Sequence, residues 1–429
     1  MVLRFLLDGL RAMATGSRAY FLWLGFLGCL VGAGAIAYIV QLSQGMVVTG
    51  MSDQVSWGFY ISNFAFLVGI AAAAVLLVIP AYIFHRDDIK SVVLIGEGLA
   101  VAAVVSAMTF VIVDIGRPDR LLHMIPGIGR FNWPQSMLAW DVVVLNGYLA
   151  LNLAIPFYVH FCHYRGREPQ LRAYFPFVLL SIVWAISIHT VTAFLFAAST
   201  ARPFWSIALL APRFIATAFV SGPALIIIVL QVLKRTTRYP VPESVIDTLA
   251  LIMTVALQIS LFFVGAELFT DFYNEGAHAA SVRYLYFGLN GADSLSSFVW
   301  TALCLNIVAV LILSIHPLRK TRALLNVACV LAFAGIWIEK GMGFVVPGFI
   351  PTPLGEVFEY SPSAVELTLS IGIWALGALV FTLLARASIA ISLGEVGARR
   401  PDAEAGLAAA AVAGKGGKSA EGAPSPAAG

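Results

Sequence analysis

Residues 57–84 read WGFYISNFAFLVGIAAAAVLLVIPAYIF, a stretch without one charged side chain. About 20 apolar residues suffice for a helix to cross the hydrocarbon core of a bilayer. Inside lipid no water pairs with backbone N–H and C=O groups, so such a segment must satisfy them within itself as a helix. Working outward, nine further stretches meet the same condition: 20–41, 92–113, 140–160, 175–199, 214–233, 246–268, 297–315, 324–340 and 364–385. The chain therefore reads as an all-α integral membrane protein of about ten transmembrane helices. Composition agrees, because 60% of its 429 residues are hydrophobic and only 11% are charged, whereas soluble domains carry about 25% charge. A net charge of +3 gives no footing for nucleic-acid binding. The first apolar run is as long as those that follow, and so is expected to be an uncleaved helix rather than a signal peptide.

Ten spans place both termini on one side, and Lys and Arg choose which. Nineteen of the 26 basic residues fall on the N-terminal side, among them Arg86, Lys90, Arg165, Arg172, Lys234, Arg238, Arg319 and Arg322. The other side holds only Arg117, Arg120, Arg130, Arg202, Arg213, Arg283 and Lys340. The termini are expected in the cytoplasm and the protein in the inner membrane. Three units follow: residues 1–18 as an amphipathic segment on the cytoplasmic interface, 19–395 as the membrane domain, and 396–429 as a disordered tail rich in Ala, Gly, Pro and Ser. The outer loops 114–139, 269–296 and 341–363 mix aromatic residues with charge, which favours folded caps or a docking surface for an external partner.

The four cysteines, Cys29, Cys162, Cys304 and Cys329, lie far apart without cluster-ligand spacing. Of seven histidines only His189 lies well inside a span, so no haem or iron–sulfur cluster is expected in this chain, nor any metal site. Redox centres, if used, would belong to partners.

Ionisable residues at membrane depth are costly and point to function. Asp114 closes the third span, where the helix dipole disfavours a carboxylate unless it is paired, and Arg117 is the nearest candidate partner. Pro118 stops the helix. Asp141 opens the fourth span, His189 lies past the middle of the fifth, and Glu97 sits in the inner part of the third. Each also has an ordinary explanation: a structural ion pair for Asp114, helix-start chemistry for Asp141, an interhelical hydrogen bond for His189, and a water-facing carboxylate for Glu97. Gln258 and Glu267 lie in the seventh span, Glu339 ends the ninth and Glu366 opens the tenth. Asp114, Arg117, His123, Asp141, His189 and the polar start of the second span (Trp57, Tyr60, Asn63) all fall on the outer side. Together they supply the aromatic walls, hydrogen-bond donors and proton-exchanging groups that a quinone head group needs.

With these residues in view, the chain resembles the NrfD family of membrane quinone-interacting subunits, which includes the polysulfide reductase membrane subunit. The stretches that carry the resemblance are WGFYISNFAFLVGI, VDIGRPDR, NWPQSMLAWD, SIHTVTAFLFAASTARPFW and EKGMGFVVPG…YSPSAVELTLSIGIW, in that order. The ten-span form is similar to DsrP-type subunits of sulfite-reduction-associated complexes and to alternative complex III membrane subunits. The resemblance implies two four-helix bundles plus two extra helices, no cofactor in the subunit, and a menaquinol site near the periplasmic face. It further implies a periplasmic ferredoxin-like iron–sulfur partner, other redox subunits (a cytochrome, a second membrane subunit), and a link to sulfur or sulfite metabolism. By the same resemblance Asp114 falls where some relatives carry a histidine before GRP, and Asp141 matches an aspartate after Trp. One departure is visible, since relatives often have His-Ala-Gly in the second span where this chain has Ala71–Ala74.

The expected function is thus a quinone-binding subunit of a respiratory oxidoreductase. Asp114 or Asp141 would accept a proton, Arg117 would hold the carboxylate charged, and His189 would bind a quinone oxygen. Trp57, Tyr60, Asn63 and His123 complete the quinone site. The alternative is a proton-translocating or transporter module with Glu97, Gln258, Glu267 and Glu339 along its route, although no paired broken helices or clear inverted repeat are evident. A passive anchor is a third class.

Overall fold

The structure, a computed structural model, describes residues 1–125, 127–274, 276 and 278–397. The tail expected to be disordered lies outside the described residues from 398 onward. Ten helices long and apolar enough to cross a membrane are present among the described residues: Arg18–Gln44, Phe59–Ile83, Asp87–Asp114, Met137–Tyr164, Leu171–Ala197, Leu210–Thr236, Glu243–Asn274, Ser296–Ser314, Arg322–Phe349 and Ala364–Ser392. These are spans one to ten, and the chain is a multi-pass membrane protein.

Most spans run past their apolar cores because the charges at their ends are neutralised. Span seven starts at Glu243 rather than at 246, since Arg322 reaches Glu243 at 2.6 Å and Asp247 at 2.9 Å. Side-chain caps start others: Ser17 accepts from the Tyr20 N–H and Ser136 from that of Ala139. Ser363 and Glu366 form a reciprocal capping box at the head of span ten.

Spans two to five pack in sequence, with five returning to two, and spans six to nine close in the same way. The two four-helix bundles meet where span two touches spans six and nine and where span five touches six. Spans one and ten form a separate pair laid against span three.

Span two is the axis of this arrangement, and it is buried along nearly its whole length. A helix apolar on every side can be surrounded on every side. Small residues let neighbours come to backbone distance. A Cβ on Gly222 of span six would stand 2.1 Å from the Ala73 Cβ. Likewise, a Cβ on Gly372 of span ten would stand 2.6 Å from the Gly34 Cα of span one. Span two also departs from a regular helix, tightening to a 3-10 turn at Ala72–Ala74 and widening to a π turn at Ile79–Ile83. Pro80 lies in the π turn and lacks the N–H a regular helix requires there. This interruption was not expected from the sequence.

The face carrying the N-terminus is the basic face. There the helix Val2–Met13 lays Phe5 edge-on against Phe157, Phe161 and Tyr164 of span four, and the Tyr164 hydroxyl donates to Asp8 at 2.7 Å. Its other side leaves Leu3, Leu6, Leu7 and Leu10 exposed. On the far face the loops are folded, with a 3-10 helix at Pro118–Met124 and a helix at Ala279–Phe287. Trp57, Phe196, Trp205, Phe344 and Phe349 pack into an aromatic plug over the junction of the bundles, with the Trp57 and Trp205 rings stacked at 5.5 Å.

Replacing Gly372 by Val should lower the stability of the detergent-solubilised protein by about 1–3 kcal/mol, the range for overpacking. Thermal unfolding followed by size exclusion is the measurement. Gly25→Val on the partner helix, span one, where a Cβ meets nothing within 4 Å, should leave it unchanged. Equal effects from both would sink the close-packing explanation.

Candidate functional site

The far ends of the two bundles each hold a polar cluster, and the clusters differ in how completely their groups are paired.

In the first bundle, Asp114 is the last residue of span three, and its Oδ1 is buried without a hydrogen-bond partner among the described residues. Arg117 does not supply one. Beyond Asp114 the backbone goes extended at Ile115 and then enters the 3-10 helix begun by Pro118. Arg117 instead forks onto Asp119, Nε to Oδ1 at 3.0 Å and Nη2 to Oδ2 at 2.9 Å, at the exposed surface. Those hydrogen bonds hold the Asp119 carboxyl below the usual carboxylate range. His123, on the same 3-10 helix, is also exposed.

Asp114 lies within electrostatic range of Tyr60 and Glu366 instead. Tyr60 is fully buried and donates to the Gln41 side-chain oxygen at 2.7 Å. The Gln41 amide in turn donates to the Val113 carbonyl at 2.7 Å, tying span one to the last turn of span three. Glu366 is fully buried and well served: it accepts from the Gly50 N–H at 2.6 Å, the Ser363 N–H at 2.9 Å and the Tyr360 hydroxyl at 2.5 Å. Burial and the Glu366 charge push the Tyr360 phenol above its ordinary range, so it stays a donor. Next to this satisfied carboxylate, Asp114 retains an oxygen with no donor.

Asp141 sits five residues into span four, past the first turn, which Ser136 caps. Its Oδ1 accepts from the Thr192 hydroxyl of span five at 2.8 Å, and it is buried. One turn before Thr192 is His189, 1% exposed, whose ring nitrogens meet no side-chain partner among the described residues and have only the Ala185 backbone, one turn back, near them. Asp141 is thus bonded to the helix that carries His189, one turn from it, while Asp114 engages other elements. Asn63 is committed elsewhere, since its oxygen accepts from both Trp337 and Trp374 and its amide donates to the Phe59 carbonyl. Trp57 belongs to the aromatic plug.

In the second bundle's cluster the charged groups are all paired, although the Asn306 oxygen meets no partner among the described residues. Arg213 of span six bonds Glu267 of span seven and, at 3.1 Å, Glu339 of span nine. Asn306 of span eight donates to the other Glu339 oxygen at 3.0 Å. Each bundle thus contributes one polar group per helix at the same end. Of the remaining predicted residues, Gln258 faces the exterior and donates to Ser314 at 3.0 Å. Glu97 is buried in the basic half of span three, with Oε2 unpartnered, in electrostatic range of Tyr82, Tyr148 and Tyr174. Among the described residues no group of three or more His, Cys, Asp or Glu is placed to hold a metal ion.

This architecture has known relatives. The family model described as Polysulphide reductase, NrfD matches residues 47–346, which takes in spans two to eight and most of span nine. The chain belongs to the NrfD family. It is 26% identical to a putative dimethyl sulfoxide reductase membrane subunit of Halobacterium salinarum, over 83% of this chain and 88% of that protein. It is 24% identical to the Hdr-like menaquinol oxidoreductase integral membrane subunit of Archaeoglobus fulgidus, over 85% and 92%. A third relative is a selenate reductase subunit of Mesobacillus selenatarsenatis, 22% identical over 85% and 92%. These NrfD-like relatives are named as subunits of larger reductases or oxidoreductases.

Reading the sequence for this NrfD chain missed Gln41, Tyr360, Thr192 and Asn306. Glu366 had a legible signal, because Ser363-x-x-Glu366 before an apolar run is a capping-box pattern. Thr192 and Asn306 carried none, since a polar residue in a span is meaningful only once its neighbour is known.

Breaking the closed cluster should be severe. Arg213→Met leaves two buried carboxylates unpaired and should destabilise the protein by about 3–5 kcal/mol. Adding Glu267→Gln and Glu339→Gln to that variant should recover much of the loss. Thermal unfolding of the two variants is the comparison, and failure of the triple variant to recover would mean that Arg213 acts through packing alone.

Proposed function

We propose that this NrfD-family chain is the quinone-binding membrane subunit of a multisubunit respiratory oxidoreductase. In this reading it passes electrons between menaquinol and an iron–sulfur subunit docked on the far face. That face is periplasmic, because the positive-inside rule puts the basic face in the cytoplasm. The relative named as a menaquinol oxidoreductase subunit supports the choice of quinone.

The observation that carries the reading is the open first-bundle cluster. Among the described residues Asp114 keeps a buried oxygen without a donor, and the buried His189 has no side-chain partner, with only the Ala185 backbone one turn back near its ring. Buried polar groups are nearly always satisfied, so an unpaired carboxylate oxygen and an imidazole gathered at the far end of the first bundle call for a ligand. A quinol head group offers two hydroxyls. Oxidation breaks both O–H bonds, and Asp114 takes one proton while the Asp141–Thr192–His189 set takes the other. The two electrons leave for the partner's cluster. Tyr60 and the Trp57 plug wall the site, and Glu366 lies nearby with its oxygens held by three donors. Arg117 and His123 take no part at the carboxylate; they lie where a docked partner would meet the surface.

Asp114→Asn and Asp141→Asn should each lower quinol-driven electron transfer in the assembled complex by about 100-fold, the usual worth of a positioned proton acceptor. Fold and assembly should be retained, checked by co-purification of the iron–sulfur subunit. Wild-type rates in both variants would remove these carboxylates from the mechanism. A chain that purifies alone and moves protons by itself would favour the translocating module.

A further inference from the structure

Lys340 stands between the two clusters, and neither uses it. It lies in span nine next to Glu339 and is 3% exposed. Its ammonium has three donors to satisfy. Among the described residues it meets the Phe214 carbonyl only at 3.5 Å, and it sits 4.3 Å from the centre of the Phe214 ring. No carboxylate oxygen of the described residues comes within ion-pair distance. Glu339 turns its oxygens to Arg213 and Asn306.

The surroundings are built to admit this side chain. Span two offers Gly69, where a Cβ would stand 3.2 Å from the Lys340 Nζ. A small cavity of about 10 Å³ is lined by Arg213, Phe214, Thr217, Glu339, Lys340 and Phe344. That is room for one water, with polar partners on several sides. On the first-bundle side, His189 of span five lies within electrostatic range. The charged and titratable groups around Lys340 are therefore His189 from span five, Arg213 from span six and Glu339 from its own helix. Glu267 of span seven acts through Arg213, Tyr286 of the far-face helix lies within electrostatic range of Arg213 and Glu339, Asn306 of span eight is neutral, and span two faces Lys340 with Gly69.

We propose that Lys340 is a proton-transfer link that joins the first-bundle site to Glu339 of the second bundle. The inference rests on the quinol reading of the first-bundle site. The Lys340 ammonium first releases one proton: an Nζ–H breaks, and through the cavity water an O–H forms on Glu339. The neutral amine then takes the proton of a His189 imidazolium, whose N–H breaks as the third Nζ–H forms again. One proton moves and no electron does. Glu339 is suited to receive it, because one guanidinium serves two carboxylates there, and protonating Glu339 leaves a neutral Arg213–Glu267 pair.

The test is infrared difference spectroscopy of the purified complex on adding reduced and oxidised quinone. Wild-type protein should show a protonated-carboxyl band that disappears in Glu339→Gln. Lys340→Met and Lys340→Arg should both lose the band, because arginine keeps the charge but does not release a proton. Lys340→Gln gives the same reading if the Met variant does not assemble. Persistence of the band in an assembled Lys340 variant overturns the link, as does loss in Met but not in Arg, which would make Lys340 a source of charge only. A wild-type spectrum with quinone signals but no Glu339 band overturns the link and leaves the quinol site standing. A spectrum with no quinone response overturns the quinol reading and the link with it.

Discussion

Span two must be apolar on all sides because protein surrounds it on all sides. It touches spans three and five of its own bundle and spans six and nine of the other. The rest of the molecule is arranged around that requirement. Neighbours reach backbone distance only where residues are small, as at Ala73 against Gly222. At its far end Tyr60, Ser62 and Asn63 each find a partner, and the Tyr82 hydroxyl stands at the basic end. Asn63 uses both sides of its amide to tie two indoles and its own helix together. With no hydrophobic driving force between helices in lipid, such close packing and hydrogen bonding carry the association.

The same rule sorts the two polar clusters. In the second bundle one guanidinium neutralises two carboxylates and an amide donates to one of them, which leaves only the Asn306 oxygen unmet among these groups, and the cluster serves as a lock. In the first bundle the count does not close, since Asp114 and His189 are left with unmet atoms. Burying polar atoms without partners costs about 1–3 kcal/mol each, a cost that a fold sustains where a ligand supplies the missing bonds. Lys340 sits at the seam and belongs by sequence to the closed cluster but by position to both. An aromatic plug shields the seam from the far face.

Much was legible from the residues in order. Ten apolar stretches became ten spans, and Ser363 with Glu366 signalled a capping box. The carboxylates Asp114 and Asp141 lie at helix ends on one face, as their places in the chain require. Arg117 shows where such reading stops. Three residues from Asp114, it looked like a partner, but the turn begun by Pro118 brings Asp119 to it instead. Local spacing predicts contacts along a continuing helix, and here the helix has ended. Gln258, Glu267 and Glu339 looked alike as polar residues in spans, yet one faces outward and two share an arginine. A span of uniformly apolar residues shows no periodicity that could tell its faces apart.

The sequence by itself determined that the chain is helical, that it crosses the membrane ten times and which family it resembles. Those properties follow from lipid, which leaves a backbone no partner but itself and therefore acts on each segment separately. Only the tertiary structure decided which polar groups meet, that Gln41 and Tyr360 join the far-end network, that span two is the axis, and that Lys340 faces across the seam. Those outcomes depend on side chains hundreds of residues apart arriving at the same depth on facing helices, a condition no single segment contains.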